Sequence, residues 1–197
     1  MARVTSSTRP LGRPRSRVDA AVFAATLSTV HELGYTRATV DRIGAAAGVA
    51  KTTIYRRWPS KGALITACLV DAFGTADAVL RDLGYPLPLK GANRKEILSS
   101  VIRWLPAKLC EPGIGAAFAG VFTDAITDPD LRRILSTQLQ APYLHVLQDL
   151  LDERDDQARL IIDVLVGTLL HRMGMTGEAM VDSDVDALVE MILRALD

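Results

Sequence analysis

Between Thr39 and Trp58 the chain carries two apolar repeats, each about two turns long, on either side of Gly48. Thr39 can cap the first repeat through its hydroxyl, and Val40, Ile43 and Ala47 give it one apolar face. Gly48 ends it, because a left-handed backbone costs a glycine little. The second repeat runs from Lys51 to Trp58, with Val49, Ile54 and Trp58 at apolar spacing, and Pro59 stops it before Ser60 can cap a further helix. Two short helices separated by a three-residue, glycine-containing turn are a helix-turn-helix written in sequence. Upstream, Ala20, Phe23, Ala24, Leu27 and Val30 recur at three- and four-residue intervals and predict a preceding helix that ends at Gly34.

If Val49, Ile54 and Trp58 face inward, then Lys51, Thr52, Tyr55 and Arg56 face outward near the start of the second helix, with no acid beside them in sequence. This is the end of such a helix that enters a major groove, where a lysine reaches guanine O6 and N7 and threonine or tyrosine reaches base edges or phosphates. Thr39 and Lys61, at the starts of the flanking helices, are placed to hold the DNA backbone. Charge agrees. Residues 1–57 hold ten Lys or Arg against three Asp or Glu, while the remainder of this formally neutral chain is acidic by the same margin. A basic first third points to a polyanionic partner for that part alone. The arm "GRPRSR" adds Arg13 and Arg15, which suit an adjacent minor groove.

The stretch "TVDRIGAAAGVAKTTIYRRWPSKGALI", Thr39 to Ile65, resembles the DNA-binding signature of the tetracycline-repressor (TetR) family, over a match that starts in the first helix and runs to about Ala72. The pattern joins the Thr cap, an Ile four residues on, the Ala-Gly-Val turn, Tyr55, an aromatic three residues later and a Ser-Lys pair before "ALI". The resemblance implies base contacts from Lys51, Thr52 and Tyr55, and phosphate contacts from Thr39, Thr53 and Lys61. Arg42 and Arg56 suit either set, and core packing is the other reading for Tyr55 and Trp58. Gly44 stands where the family usually has Ala, at about 1 kcal/mol of helix propensity, and Arg57 stands where His is common, adding charge beside the groove.

The expected architecture is all-α: a flexible basic arm over 1–16, a three-helix helix-turn-helix DNA-binding domain over 17–74, and a helical effector-binding and dimerisation domain over 75–197. Helix four is expected from Lys61 to about Leu83, before the proline- and glycine-rich "GYPLPLKGAN". Further helices are expected over Arg94–Cys110, Gly113–Thr127, Asp128–Asp152 with a kink at Pro142, Asp155–Met175 and Ser183–Leu196. Asp128-Pro129 reads as a cap and first turn, and Ser183 with Asp186 as a capping box. No convincing strand run is present.

Apolar or small residues cover more than one face of the penultimate helix at Leu160, Val164, Gly167 and Leu170, so one core cannot use them all. Val185, Leu188, Val189, Ile192 and Leu196 form a stripe on the last helix. Together they suit a four-helix, twofold seam, which places two recognition helices about 34 to 36 Å apart on a palindrome. A protomer interior is the other use of these residues. Trp104, Phe118, Phe122, Tyr143, His171 and Met173 have the composition of an apolar effector pocket, and also of a helical core.

Two distant cysteines match neither a disulfide framework nor a metal site, and the three histidines are scattered, so no metal or cofactor is expected. The N-terminus has no apolar stretch of export-signal length, and "LIIDVLVGTLL" is too short and charge-interrupted to span a bilayer. A cytoplasmic protein without a membrane partner is expected. "GIGAAFAG" lacks dinucleotide-loop spacing and "DERDD" is most simply a solvated turn, so catalysis is not expected. The function implied is a sequence-specific transcriptional regulator: a homodimeric repressor released from a palindromic operator by a small apolar or amphipathic effector. A DNA-binding regulator governed instead by a protein partner or by abundance is the alternative.

Overall fold

A computed structural model describes residues 17–85, 89, 93–150 and 155–196, so the arm with Arg13 and Arg15 lies outside the described residues. Every regular element among them is helical. The N-terminal set is α1 (Arg17–Leu33), α2 (Val40–Ala47), α3 (Lys51–Tyr55) and α4 (Lys61–Phe73). The remainder is α5 (Ala76–Asp82), α6 (Arg94–Leu109), α7 (Ile114–Ala125), α8 (Pro129–Ile134), α9 (Ala141–Leu150), α10 (Asp155–His171) and α11 (Asp182–Leu196). Wide π-type turns follow α8 at Leu135–Gln140 and α10 at Arg172–Thr176.

The N-terminal core joins Val22 and Phe23 of α1, Val40 and Ile43 of α2, Ile54 of α3, and Leu64 and Cys68 of α4. The opposite face of α4, with Ile65, Leu69 and Phe73, packs instead against Ile114, Ala117, Phe118 and Val121 of α7. Buried on two sides, α4 is therefore shared between the DNA-binding bundle and the C-terminal bundle. That double burial accounts for its near-continuous apolar sequence. A third core, between α5, α6, α9, α10 and α11, holds Ile97, Leu98, Ile102, Ile161, Val185 and Val189.

Four sequence expectations are revised. Helix α4 stops at Phe73 rather than continuing to Leu83: Gly74 adopts φ +77°, and the Thr75 hydroxyl accepts from the Ala78 N–H at 3.2 Å to start α5. Near Pro142, the distortion sits in the wide turn that precedes it. The ring supplies no N–H and collides with the carbonyl four residues back, and an extra residue in the preceding turn relieves both. Helix α11 begins at Asp182, so the capping arrangement uses Val181 and Asp184, whose carboxylate accepts from the Val181 N–H at 3.1 Å, and not Ser183 and Asp186. By contrast Asp128 caps α8 as expected, accepting from Asp130 and Leu131 N–H at 3.0 Å.

The last revision concerns the dimer seam. Val185, Leu188, Val189 and Ile192 are at most 9% exposed and fill the protomer's own core with α6 and α10. They are unavailable to a partner. On α10, Leu160 is 58% exposed, Gly167 is exposed with open space beside it, and Val164 and Leu170 are half-buried. The outward apolar residue of α11 is Met191, at 66% exposed. The side chain of Leu196 lies outside the described residues.

Candidate nucleic-acid interface and ligand cavity

The turn between α2 and α3 is set by close backbone approach. Thr39 caps α2 through its hydroxyl, which accepts from the Arg42 N–H at 3.4 Å. At the other end Gly48 sits at φ +65° and the Val49 N–H returns to the Gly44 carbonyl at 2.9 Å. A Cβ at Gly44 would stand 2.7 Å from the Val49 carbonyl oxygen. The glycine that reads in sequence as a simple loss of helix propensity is thus what lets the turn close this tightly. Helix α3 is then held from behind by Ile54, 1% exposed, and by Trp58, whose ring lies 5.3 Å from that of Phe23.

With that side fixed, Lys51, Thr52, Tyr55 and Arg56 share the outward face of α3, and Tyr55 is 41% exposed. Arg42 and Thr39 are exposed on α2 alongside, while Thr53 is half-buried. The acids absent from the local sequence come from elsewhere in the fold. Asp41 on α2 pairs with Lys51, Nζ to Oδ2 2.7 Å, and this bond holds the lysine pKa above its ordinary value. Both partners are about half exposed or more, so the pair is worth at most about 1 kcal/mol and a phosphate or base can displace it.

Two cations expected at the groove are placed differently. Arg57 pairs with Asp19 of α1, bracing α3 against the bundle. Lys61 turns inward: its Nζ donates to the Tyr35 carbonyl at 2.6 Å and lies 3.8 Å from the centre of the Tyr35 ring, and burial holds its pKa down. The reason is the position of α4, whose first turn is sandwiched between bundles and leaves the long lysine stem an apolar route to a carbonyl.

The same loop ties the bundles together. The Tyr35 hydroxyl donates to Asp124 of α7, and the ring occupies space that a side chain at Gly120 would fill. Burial, reinforced by Asp124, pushes the Tyr35 pKa far up. At the start of α7, Gly113, at φ +80°, packs so closely on the Leu27 carbonyl of α1 that any side chain would collide with it.

Helix α7 also walls a cavity of about 160 Å³ in the C-terminal bundle. Four of the residues expected there line it: Trp104, Phe118, Phe122 and Tyr143. His171 and Met173 do not. His171 is exposed on α10, and Met173, 40% exposed, packs near Gly115. Sequence reasoning missed the contributions of Phe73, Ala76 and Leu80 around the α4–α5 break, of Ile97, Leu98 and Val101 on α6, and of Ile162, Leu165 and Val166 on α10. Aliphatic residues at helical spacing carry no signal that separates a cavity wall from a core. The Tyr143 hydroxyl donates to the carbonyls of Phe73 and Gly74, at 3.3 and 3.1 Å, so this cavity residue grips the point where α4 ends. Burial pushes its pKa up to about 12.

An exposed cationic face on the second helix of a helix-turn-helix, set on a helical bundle with an internal cavity, defines a helix-turn-helix DNA-binding regulator. The family models agree: "Bacterial regulatory proteins, tetR family" matches residues 22–68, and "Tetracyclin repressor-like, C-terminal domain" matches residues 97–192. The chain belongs to the TetR family of transcriptional regulators. It is 29% identical over 190 residues to an uncharacterized HTH-type transcriptional regulator of Mycobacterium tuberculosis, covering 91% of this chain and 88% of that protein. It is 27% identical over 188 residues to the uncharacterized HTH-type regulator YdeS of Bacillus subtilis, covering 90% and 89%. In fold it is similar to Thermus thermophilus FadR, a TetR-family repressor solved with lauroyl-CoA, at TM-score 0.69 and 20% identity, covering 90% of this chain and 92% of that one. The multidrug binding protein EbrR, solved with imidazole, gives TM-score 0.62 at 16% identity over 90% and 95%.

Proposed function

We propose that this regulator is a cytoplasmic homodimeric repressor that reads a palindromic operator with α3 of each protomer and lets go when a small apolar or amphipathic effector fills the cavity. The observation that carries the reading is that one helix serves both ends. Helix α4 starts six residues after Tyr55 and ends at Phe73, which lines the cavity and accepts, with Gly74, the hydroxyl of Tyr143. A ligand that displaces Tyr143 or Phe73 moves the end of a rigid rod whose other end positions the recognition helix. Helix α7 gives a second connection, through Phe118 and Phe122 on the cavity side and Gly120 and Asp124 on the Tyr35 side. Occupancy must favour the released state by about 5 kcal/mol for a near-complete switch. Ligand complexes of fold neighbours such as FadR support a ligand-responsive C-terminal bundle.

Lys51, Thr52 and Tyr55 are assigned to bases, Thr39 and Thr53 to phosphates, and Arg42 and Arg56 to either, with Arg13 and Arg15 reaching the minor groove from the arm. The dimer is assigned to the outward faces of α10 and α11, through Leu160, Val164, Gly167 and Met191, since a large exposed leucine and methionine beside open glycine surface suit helix-on-helix contact. The test is to recover the bound sites by genome-wide footprinting and measure affinity for one site by fluorescence anisotropy. Lys51→Ala or Tyr55→Ala should weaken binding by about 1 to 3 kcal/mol and alter base preference. Unchanged affinity in both variants would remove α3 as the reading helix. Sedimentation of a monomer on the operator would remove the twofold reading.

A further inference from the structure

We infer that the cavity's ligand is an uncharged lipophile with a single hydrogen-bonding oxygen, and that Gln140 reads that oxygen; this rests on the effector-released reading above. The cavity is walled almost wholly by aliphatic and aromatic side chains, and no Asp, Glu, Lys, Arg or His lines it. A carboxylate or ammonium entering it would shed its hydration with no counter-charge to meet, which is prohibitive in so apolar a setting. Two lining residues have polar side-chain groups able to hydrogen-bond strongly. The Tyr143 hydroxyl is already committed to the Phe73 and Gly74 carbonyls. The Gln140 side chain is half-buried and makes no hydrogen bond to any described residue. An amide offers both donor and acceptor, so it accommodates an alcohol, ketone, ester or lactone equally.

The placement of Gln140 is not incidental to the fold. It is the last residue of the wide turn Leu135–Gln140 that precedes Pro142, and such turns displace side chains from regular helical spacing and recur at functional positions. The volume, about 160 Å³, is close to that of an engineered apolar cavity of roughly 150 Å³ that stays dry and admits benzene. Ligands on the scale of benzene to a short alkyl chain therefore fit without rearrangement.

The test uses the full-length protein at neutral pH with five probes of matched size: 1-octanol, 2-octanone, propylbenzene, octanoate and octylammonium. Binding is followed by calorimetry, and release by loss of anisotropy on a footprinted site. The expected result is that the neutral oxygenated probes bind at least about tenfold more tightly than either ion, and that Gln140→Met lowers affinity for 2-octanone about tenfold, the value of one hydrogen bond, without changing that for propylbenzene. Gln140→Leu should behave the same way if the methionine variant folds poorly. Octanoate or octylammonium binding as well as the ketone would overturn the neutral-ligand assignment, and an unchanged ratio of ketone to hydrocarbon in the variants would overturn the role of Gln140. Neutral probes that bind without releasing DNA would refute the effector reading and leave this one standing. Binding by none of the five would refute both.

Discussion

Replacing Ala76 by leucine tests whether the space in the C-terminal bundle is real and is the part of the molecule that matters for release. Ala76 is the first residue of α5, 4% exposed, and lines the cavity. At ~24 cal/mol per Å³, a void of 160 Å³ represents about 4 kcal/mol of packing forgone by the empty protein. Leucine adds three carbons, each worth about 0.8 kcal/mol when buried, for an upper limit of about 2.4 kcal/mol. Strain from an imperfect rotamer subtracts on the order of 1 kcal/mol. Because the Thr75 cap is untouched and leucine is a good helix former, the backbone adds little cost. The net expectation is a stabilisation of about 1 to 2 kcal/mol, which for a chain of this length raises the melting temperature by about 2 to 8 °C. The same carbons occupy ligand volume, so affinity for any cavity probe should fall at least about tenfold. DNA affinity without ligand should be unchanged, making the variant a repressor that does not let go. A melting temperature lowered by several degrees, together with undiminished probe binding, would refute the argument, since it would mean the leucine met packed atoms and the ligand sat elsewhere.

Three further outcomes follow from the geometry. Lys61→Met should leave the salt dependence of operator binding unchanged and lower stability by about 1 kcal/mol, because its ammonium holds the Tyr35 carbonyl; a salt slope reduced by about one would restore the phosphate contact. Gly44→Ala should destabilise despite its better helix propensity, because its Cβ would stand 2.7 Å from the Val49 carbonyl; a variant that melts higher than the parent would show that the turn can shift freely. Asp184 lies below the ordinary carboxylate range because it accepts from the Val181 N–H and from Arg172. Its contribution is therefore complete above the unfolded value of about 3.9 and is lost as pH falls through the lower folded value. Denaturant titrations should show Asp184→Asn less stable than the parent at neutral pH, with the gap closing in strong acid; a gap independent of pH would contradict the assignment.

Much of the interface was legible because local rules decide it. The Thr39 cap, the left-handed Gly48, the inward Ile54 and the outward Lys51, Thr52, Tyr55 and Arg56 all follow from spacing within one or two turns. Partners across the fold were not legible. Asp41, Asp19 and Tyr35 take up Lys51, Arg57 and Lys61 from ten to thirty-eight residues away, a pairing that no local pattern encodes.

The sequence by itself determined that the chain is helical, where most helices begin, and which short pair among them carries a cationic outer face, because periodicity, caps and prolines act over a single turn. Tertiary structure alone decided which apolar stripes are interior. Val185 to Ile192 has the same spacing whether it meets α6 of its own protomer or a twofold partner, and the aliphatic residues around the cavity differ from core residues only in what fails to fill the space between them. An apolar side chain is non-directional in what it will pack against, so its partner is chosen by the global arrangement of helices and not by the side chain itself.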